Sequence, residues 1–158
     1  MTSHHGGCQC GALRYEIRGQ LGDASICHCR MCQKAFGAWG AALVAVPLSN
    51  FTWTRGLPAV FKSSESVERG FCASCGTPLF MHEAEDSNIE LAIGSLDNPN
   101  AIGNLTSQDG VESRVKWFSQ MQNLPMRKTD QTRPRDELVK LKSLQHPDYD
   151  TAVWPPLR

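Results

Sequence analysis

Seven cysteines fall in three tight groups: Cys8-Gln9-Cys10, Cys27-His28-Cys29-Arg30-Met31-Cys32 and Cys72-Ala73-Ser74-Cys75. An odd number cannot all pair as intramolecular disulfides, and clustered thiols in a reducing compartment are more often metal ligands. Thiolates two apart on a strand project to one face, so Cys8 and Cys10 can grip one ion. Cys72 and Cys75, followed by Gly76, fit a tight knuckle whose sulfurs converge at about 2.3 Å from zinc. Two such pairs close a tetrahedral four-thiolate site, the structural type of zinc, which contributes roughly 10–16 kcal/mol of apparent binding energy. Cys27, Cys29 and Cys32 are left over. Three protein ligands with a free fourth position distinguish catalytic zinc from structural zinc. Two other partitions stay open at this point: Cys27, Cys29, Cys72 and Cys75 sharing an ion, or one four-cysteine site with spare thiols, one of them redox-active. His28 alternates away from its neighbours on an extended segment and reads as a surface or hydrogen-bonded histidine. His4 and His5 read as a loose terminus, and His82 and His146 as solvated or packed side chains.

The chain has 158 residues, the common size of one domain, with 41% hydrophobic and 20% charged residues, which argues against disorder. Sixteen basic residues balance sixteen acidic ones, so there is no overall basic footprint for a phosphate backbone and no nucleic acid is expected as a partner. The longest weakly polar run, Ala35 to Leu48, is interrupted by glycines and a proline and is too short to span a bilayer. The first residues lack the layout of a signal peptide. A cytoplasmic protein with no membrane partner is expected.

Short strand-like stretches recur between turn formers. They are Leu13–Ile17, Ala41–Val46, Phe51–Trp53, Val60–Lys62, Val67–Phe71, Leu79–Met81, Ile89–Ile93 and Val115–Phe118. The expected fold is mainly β: a single domain of packed short antiparallel sheets around a zinc knuckle, with a short helical C-terminal segment. A helical turn is expected over Cys29–Ala35. A second, amphipathic helix is expected over Asp136–Leu144, capped by Asp136, after a linker from Lys128 to Arg135. The last residues, Trp154–Arg158, read as extended. Residues 1–126 are read as the zinc-binding β domain and 127–158 as a C-terminal extension packed on it or trailing from it.

Several motifs together resemble the glutathione-dependent formaldehyde-activating enzymes, a family that includes centromere protein V. They are Gly7-Cys8-Gln9-Cys10-Gly11; Cys27 through Lys34 with Ala35-Phe36-Gly37; Val67 through Leu79; Ile93-Gly94-Ser95-Leu96-Asp97; and Ser113 through Phe118. The resemblance covers roughly residues 7 to 124. It implies a β-rich fold of packed antiparallel sheets, two zinc ions per chain, Cys8, Cys10, Cys72 and Cys75 as structural ligands, and Cys27, Cys29 and Cys32 as catalytic ones. The implied activity joins glutathione to formaldehyde to give S-hydroxymethylglutathione, a carbon–sulfur lyase reaction in reverse. Family members often carry a histidine where this chain has Gln108-Asp109-Gly110-Val111.

The expected enzyme therefore activates a small thiol at an open three-cysteine zinc for addition to a small aldehyde. Glutathione carries two carboxylates, and Arg30, Lys34 and Arg69 are the candidate cations for them. Trp39, Trp53 and Phe36 are candidates for the pocket wall or the core. The alternative function is a non-enzymatic structural zinc module binding a partner protein. Oligomeric state is left open, a homodimer included.

Overall fold

The computed structural model describes residues 2–155, so Pro156, Leu157 and Arg158 of the expected extended end lie outside the described residues. Among the described residues, ten strands form two sheets. The smaller contains β1 (Ser3–Gly7), β2 (Arg14–Arg18) and β5 (Phe51–Arg55), in that spatial order. The larger is built from β3 (Ala24–Cys27), β4 (Ala41–Pro47), β6 (Ala59–Lys62), β7 (Val67–Phe71), β8 (Pro78–Glu83), β9 (Asn88–Ala92) and β10 (Ser107–Asp109). Its order is β10-β3-β4-β9-β8-β7-β6, antiparallel throughout except for β10 on β3. The fold is mainly β, in a single domain.

Alternation explains β2: Tyr15 and Ile17 point inward and are fully buried, whereas Arg18 between sheet and solvent is exposed. β4 is apolar on both faces because it lies in the middle of the larger sheet, with Leu43, Val44 and Val46 all buried. The main core joins the sheets through Tyr15, Ile17, Val44, Val46, Leu79 and Leu91. Trp53 packs against this core, edge-on to Tyr15 at 5.8 Å. A smaller cluster of Cys32, Ala41 and Leu43 takes in Cys27, Cys29, Phe36 and Met81.

Several expectations need correcting. His4 and His5 are not a loose terminus: β1 pairs with β2, and His5 Nδ1 lies 2.8 Å from an Asp150 carboxylate oxygen. Val115–Phe118 is not a strand. β10 already occupies the sheet edge, the Phe118 N–H donates to Val115 O (3.0 Å), and Phe118–Asn123 is a 3-10 turn. The amphipathic helix is shorter than its pattern. α3 spans only Arg135–Leu138, running on as a 3-10 turn over Val139–Leu141. It starts behind Pro134, not Asp136, and Leu141 and Leu144 remain exposed. A short helix with no buried face has little to propagate it. Part of the expected linker instead forms the turn α2 (Thr129–Thr132).

Candidate metal centres

Two loops of similar design bring Cys8, Cys10, Cys72 and Cys75 together. Cys8 and Cys10 lie beyond the end of β1, in a turn, so the same-face strand argument does not apply to them. Cys8 N–H donates to Leu13 O (3.0 Å), Leu13 N–H donates back to Cys8 Sγ (3.2 Å), and Gly11 N–H closes on Cys8 O (2.9 Å). The other loop does the same through Cys72 N–H to Thr77 O (2.9 Å) and Gly76 N–H to Cys72 O (2.8 Å). Both turns need the left-handed backbone, and glycine supplies it at Gly11 (φ +78°) and Gly76 (φ +75°). Gln9 N–H donates to Thr77 Oγ1 (3.0 Å), stitching one loop to the other.

The resulting sulfurs fit zinc. Cys8 and Cys10 Sγ are 3.6 Å apart, and Cys10 and Cys72 Sγ 3.9 Å. A tetrahedron with 2.3 Å metal–sulfur bonds has edges of about 3.8 Å. All four Sγ atoms lie within 4.8 Å of one another. Burial pushes the Cys8 thiol up to about 12. Burial also opposes ionisation of Cys75, but the Thr77 hydroxyl, 3.2 Å from its sulfur, and nearby backbone N–H groups bring it down to about 6.

The other three converge where β3 meets α1 (Arg30–Phe36). Cys27 ends β3, Cys29 is the N-cap, its sulfur accepting from Cys32 N–H at 3.4 Å, and Cys32 sits in the first helical turn. Their sulfurs lie within 4.8 Å of one another, and among the described residues no further histidine, aspartate, glutamate or cysteine atom joins the set. Burial pushes Cys27 up to about 12 and raises Cys32 against the lowering effect of Arg69. Cys29 moves down, because hydrogen bonds led by the Cys32 N–H outweigh its burial. Thiolate donors of this kind suit zinc.

His28 is fully buried and turned away from the trio. Its Nε2 lies 3.0 Å from Gln108 Oε1, and its ring packs edge-on to Phe118 at 4.9 Å and beside Trp39 at 5.8 Å. Of the candidate cations, Arg30 and Lys34 are exposed on α1, with Arg30 donating to Gln33 Oε1 (2.6 Å). Arg69 is buried, and its guanidinium faces Cys32. Sequence reasoning missed Gln33, a buried amide that donates to His28 O (2.6 Å) and Ser113 O (2.9 Å) and so holds the loop carrying Cys27 and Cys29. A polar residue in the pattern of a short helix carries no signal of that role. A cavity of about 230 Å³ adjoins Cys27, floored by Leu43 and Met81 and walled by Glu83, Asp86, Glu90 and Asp109.

The C-terminal segment straps across the four-cysteine loops. His146 N–H donates to Gln9 O (2.9 Å) and Trp154 Nε1 to Cys10 O (2.8 Å), while Arg55 donates to Gly11 O (3.1 Å) and to Thr151 O. A Cβ on Gly11 would collide with the His146 ring. His146 is thus a packed, hydrogen-bonded histidine, while His82 Nε2 reaches Asp86 O at 3.0 Å. No helix among the described residues is long and apolar enough to cross a membrane.

A family model described as glutathione-dependent formaldehyde-activating enzyme matches residues 3–109. Among solved structures, the crystal structure of a Rhodobacter sphaeroides protein is 22% identical, with a TM-score of 0.53 over 66% of this chain and 98% of that one. At that identity the likeness speaks for the fold.

Proposed function

Because the chain belongs to the glutathione-dependent formaldehyde-activating enzyme family, we propose that it adds a small thiol, glutathione in the first instance, to formaldehyde or another small aldehyde. The observation that carries this is the incomplete set at Cys27, Cys29 and Cys32, beside the complete set at Cys8, Cys10, Cys72 and Cys75. A zinc ion held by the trio would supply positive charge that stabilises a thiolate at the position its three sulfurs leave free. In the net reaction the thiol sulfur bonds to the aldehyde carbon, the carbonyl π bond breaks, and the thiol's proton ends on the oxygen. The product is a thiohemiacetal, and the reverse reaction is that of a carbon–sulfur lyase.

The chain's own residues position and enclose this chemistry. Gln33 and the Cys29 cap fix the trio's loop. Phe36, Leu43 and Met81 pack against it and keep water from one side. The acidic wall of the adjoining cavity repels an anionic thiol, so the exposed cations of α1, Arg30 and Lys34, are the groups assigned to glutathione's carboxylates. Holding both reactants together would supply much of the acceleration.

The test is zinc content and the rate of thiol–aldehyde condensation for the wild type and Cys32→Ser. The expected result is two zinc ions falling to one, with loss of acceleration over the uncatalysed reaction. Unchanged zinc content and rate in Cys32→Ser would defeat the proposal.

A further inference from the structure

Arg69 is the one candidate cation turned inward. It belongs to β7, in the larger sheet, and is only 7% exposed. Both terminal nitrogens, Nη1 and Nη2, donate to Cys32 Sγ at 3.5 Å, and Nε donates to Ser63 Oγ at 3.1 Å. Ser63 Oγ is itself anchored, donating to Val67 O at 3.2 Å. The guanidinium is therefore aimed by a serine at one end and spent on a sulfur at the other.

We infer that Arg69 is a positioning residue for the trio: its guanidinium balances the charge of the three-thiolate metal centre and orients Cys32, instead of recognising a substrate carboxylate. The inference rests on the proposed metal centre and adds the group that lets the chain bury it. Three thiolates and one divalent cation leave one negative charge, and Cys32 Sγ is fully buried in an apolar cluster. An unbalanced charge in such a place is costly unless a partner is supplied and hydrogen-bonded. Arginine fits better than lysine, since a planar fork can place two N–H groups on one sulfur while a third N–H holds Ser63. Partners of this kind tune metal affinity by about 10–100-fold.

The experiment titrates metal-free, reduced full-length protein with Co²⁺. The sulfur-to-cobalt charge-transfer band is followed in competition with a chelator, giving an affinity for each site. Arg69→Met is expected to weaken the trio about tenfold or more while leaving the four-cysteine site within twofold. Arg69→Lys is expected to recover part of the loss, and Ser63→Ala, which keeps the charge but frees the fork, to fall between wild type and Arg69→Met. A folded Arg69→Met with an unchanged trio, or one weakened equally at both sites, overturns the inference. If Arg69→Met does not fold, wild-type affinity in both Arg69→Lys and Ser63→Ala overturns it. A wild type that binds one cobalt per chain refutes the proposed centre itself, so the two failures are distinguishable.

Discussion

Replacing Arg14 with methionine removes one buried cation from a junction of three segments while keeping most of the side-chain volume. The Arg14 side chain is 3% exposed. Nη1 donates to Asp97 Oδ1 at 2.8 Å, Nη2 pairs with the other Asp97 oxygen, and Nε donates to Asp150 Oδ1 at 2.7 Å. The two carboxylates differ in weight. Asp97 is 16% exposed, and stranding it without its partner costs about 3–5 kcal/mol. Asp150 is 42% exposed, so water replaces much of what it loses and its share is about 0–1 kcal/mol. The expected cost of Arg14→Met is thus about 3–5 kcal/mol, nearly all from Asp97. Urea unfolding of the zinc-loaded protein measures it, with an unchanged slope showing that the unfolded state is the same. Adding Asp97→Asn to Arg14→Met should recover part of the loss, because it removes the stranded charge. A cost below about 1 kcal/mol, the surface-pair level, or simple additivity of the two substitutions refutes the reasoning. Arg14 and His5 also hold the Asp150 carboxyl below its ordinary range, against its burial. That contribution is present above the unfolded-state pKa and is lost as pH falls through the lower folded-state one, so Arg14→Met should also flatten the acid limb of stability.

Burial raises the Tyr15 hydroxyl well above its ordinary range, while Ser95 Oγ at 2.7 Å partly offsets this. Its contribution is therefore intact below about pH 10, the ordinary tyrosine pKa, and lost as pH rises further, because the unfolded chain ionises first. Tyr15→Phe should cost about 1 kcal/mol at neutral pH and reduce the alkaline loss seen in thermal melts; an unaltered alkaline limb would refute this. Removing residues 143–158 deletes the bonds from His146 to Gln9 O and from Trp154 to Cys10 O. At about 1 kcal/mol each, zinc held by the four-cysteine loops should leave to a chelator about thirtyfold faster. Gly11→Ala, which forces His146 away, should act in the same direction. Release within twofold of the full chain in both variants would show that the strap does not protect the loops.

What the sequence made legible was local. Strands β2, β4 and β9 could be read because alternation or a continuous apolar run is written into consecutive residues. β1, β3 and β10 could not. Ser3–Gly7 and Ser107–Asp109 hold no apolar pattern, and both become strands through the backbone of a partner: β2 for one, β3 for the other. The cysteine groups declared themselves by spacing, yet the spacing left open which cysteines share a site. Which sulfurs lie together is decided in space, by hydrogen bonds such as Gln9 N–H to Thr77 Oγ1, made across 68 positions of chain.

The same limit separates the charged residues around the trio. Arg30, Lys34 and Arg69 look alike in sequence, each a cation in or beside a cysteine motif. Only the pairing of β7 with its neighbours, and the loop that carries Ser63, turns Arg69 inward and leaves the α1 pair in solvent. Gln108 shows the converse. Its side chain meets His28 Nε2 and accepts from Arg114 (3.4 Å), which in turn stacks on Phe118. A polar side chain at the sheet edge is thus held by groups from three other segments, beside the loop that carries the trio. What a cation or an amide does beside this site is therefore set by which element carries it and which way that element faces, a property of the fold and not of the motif.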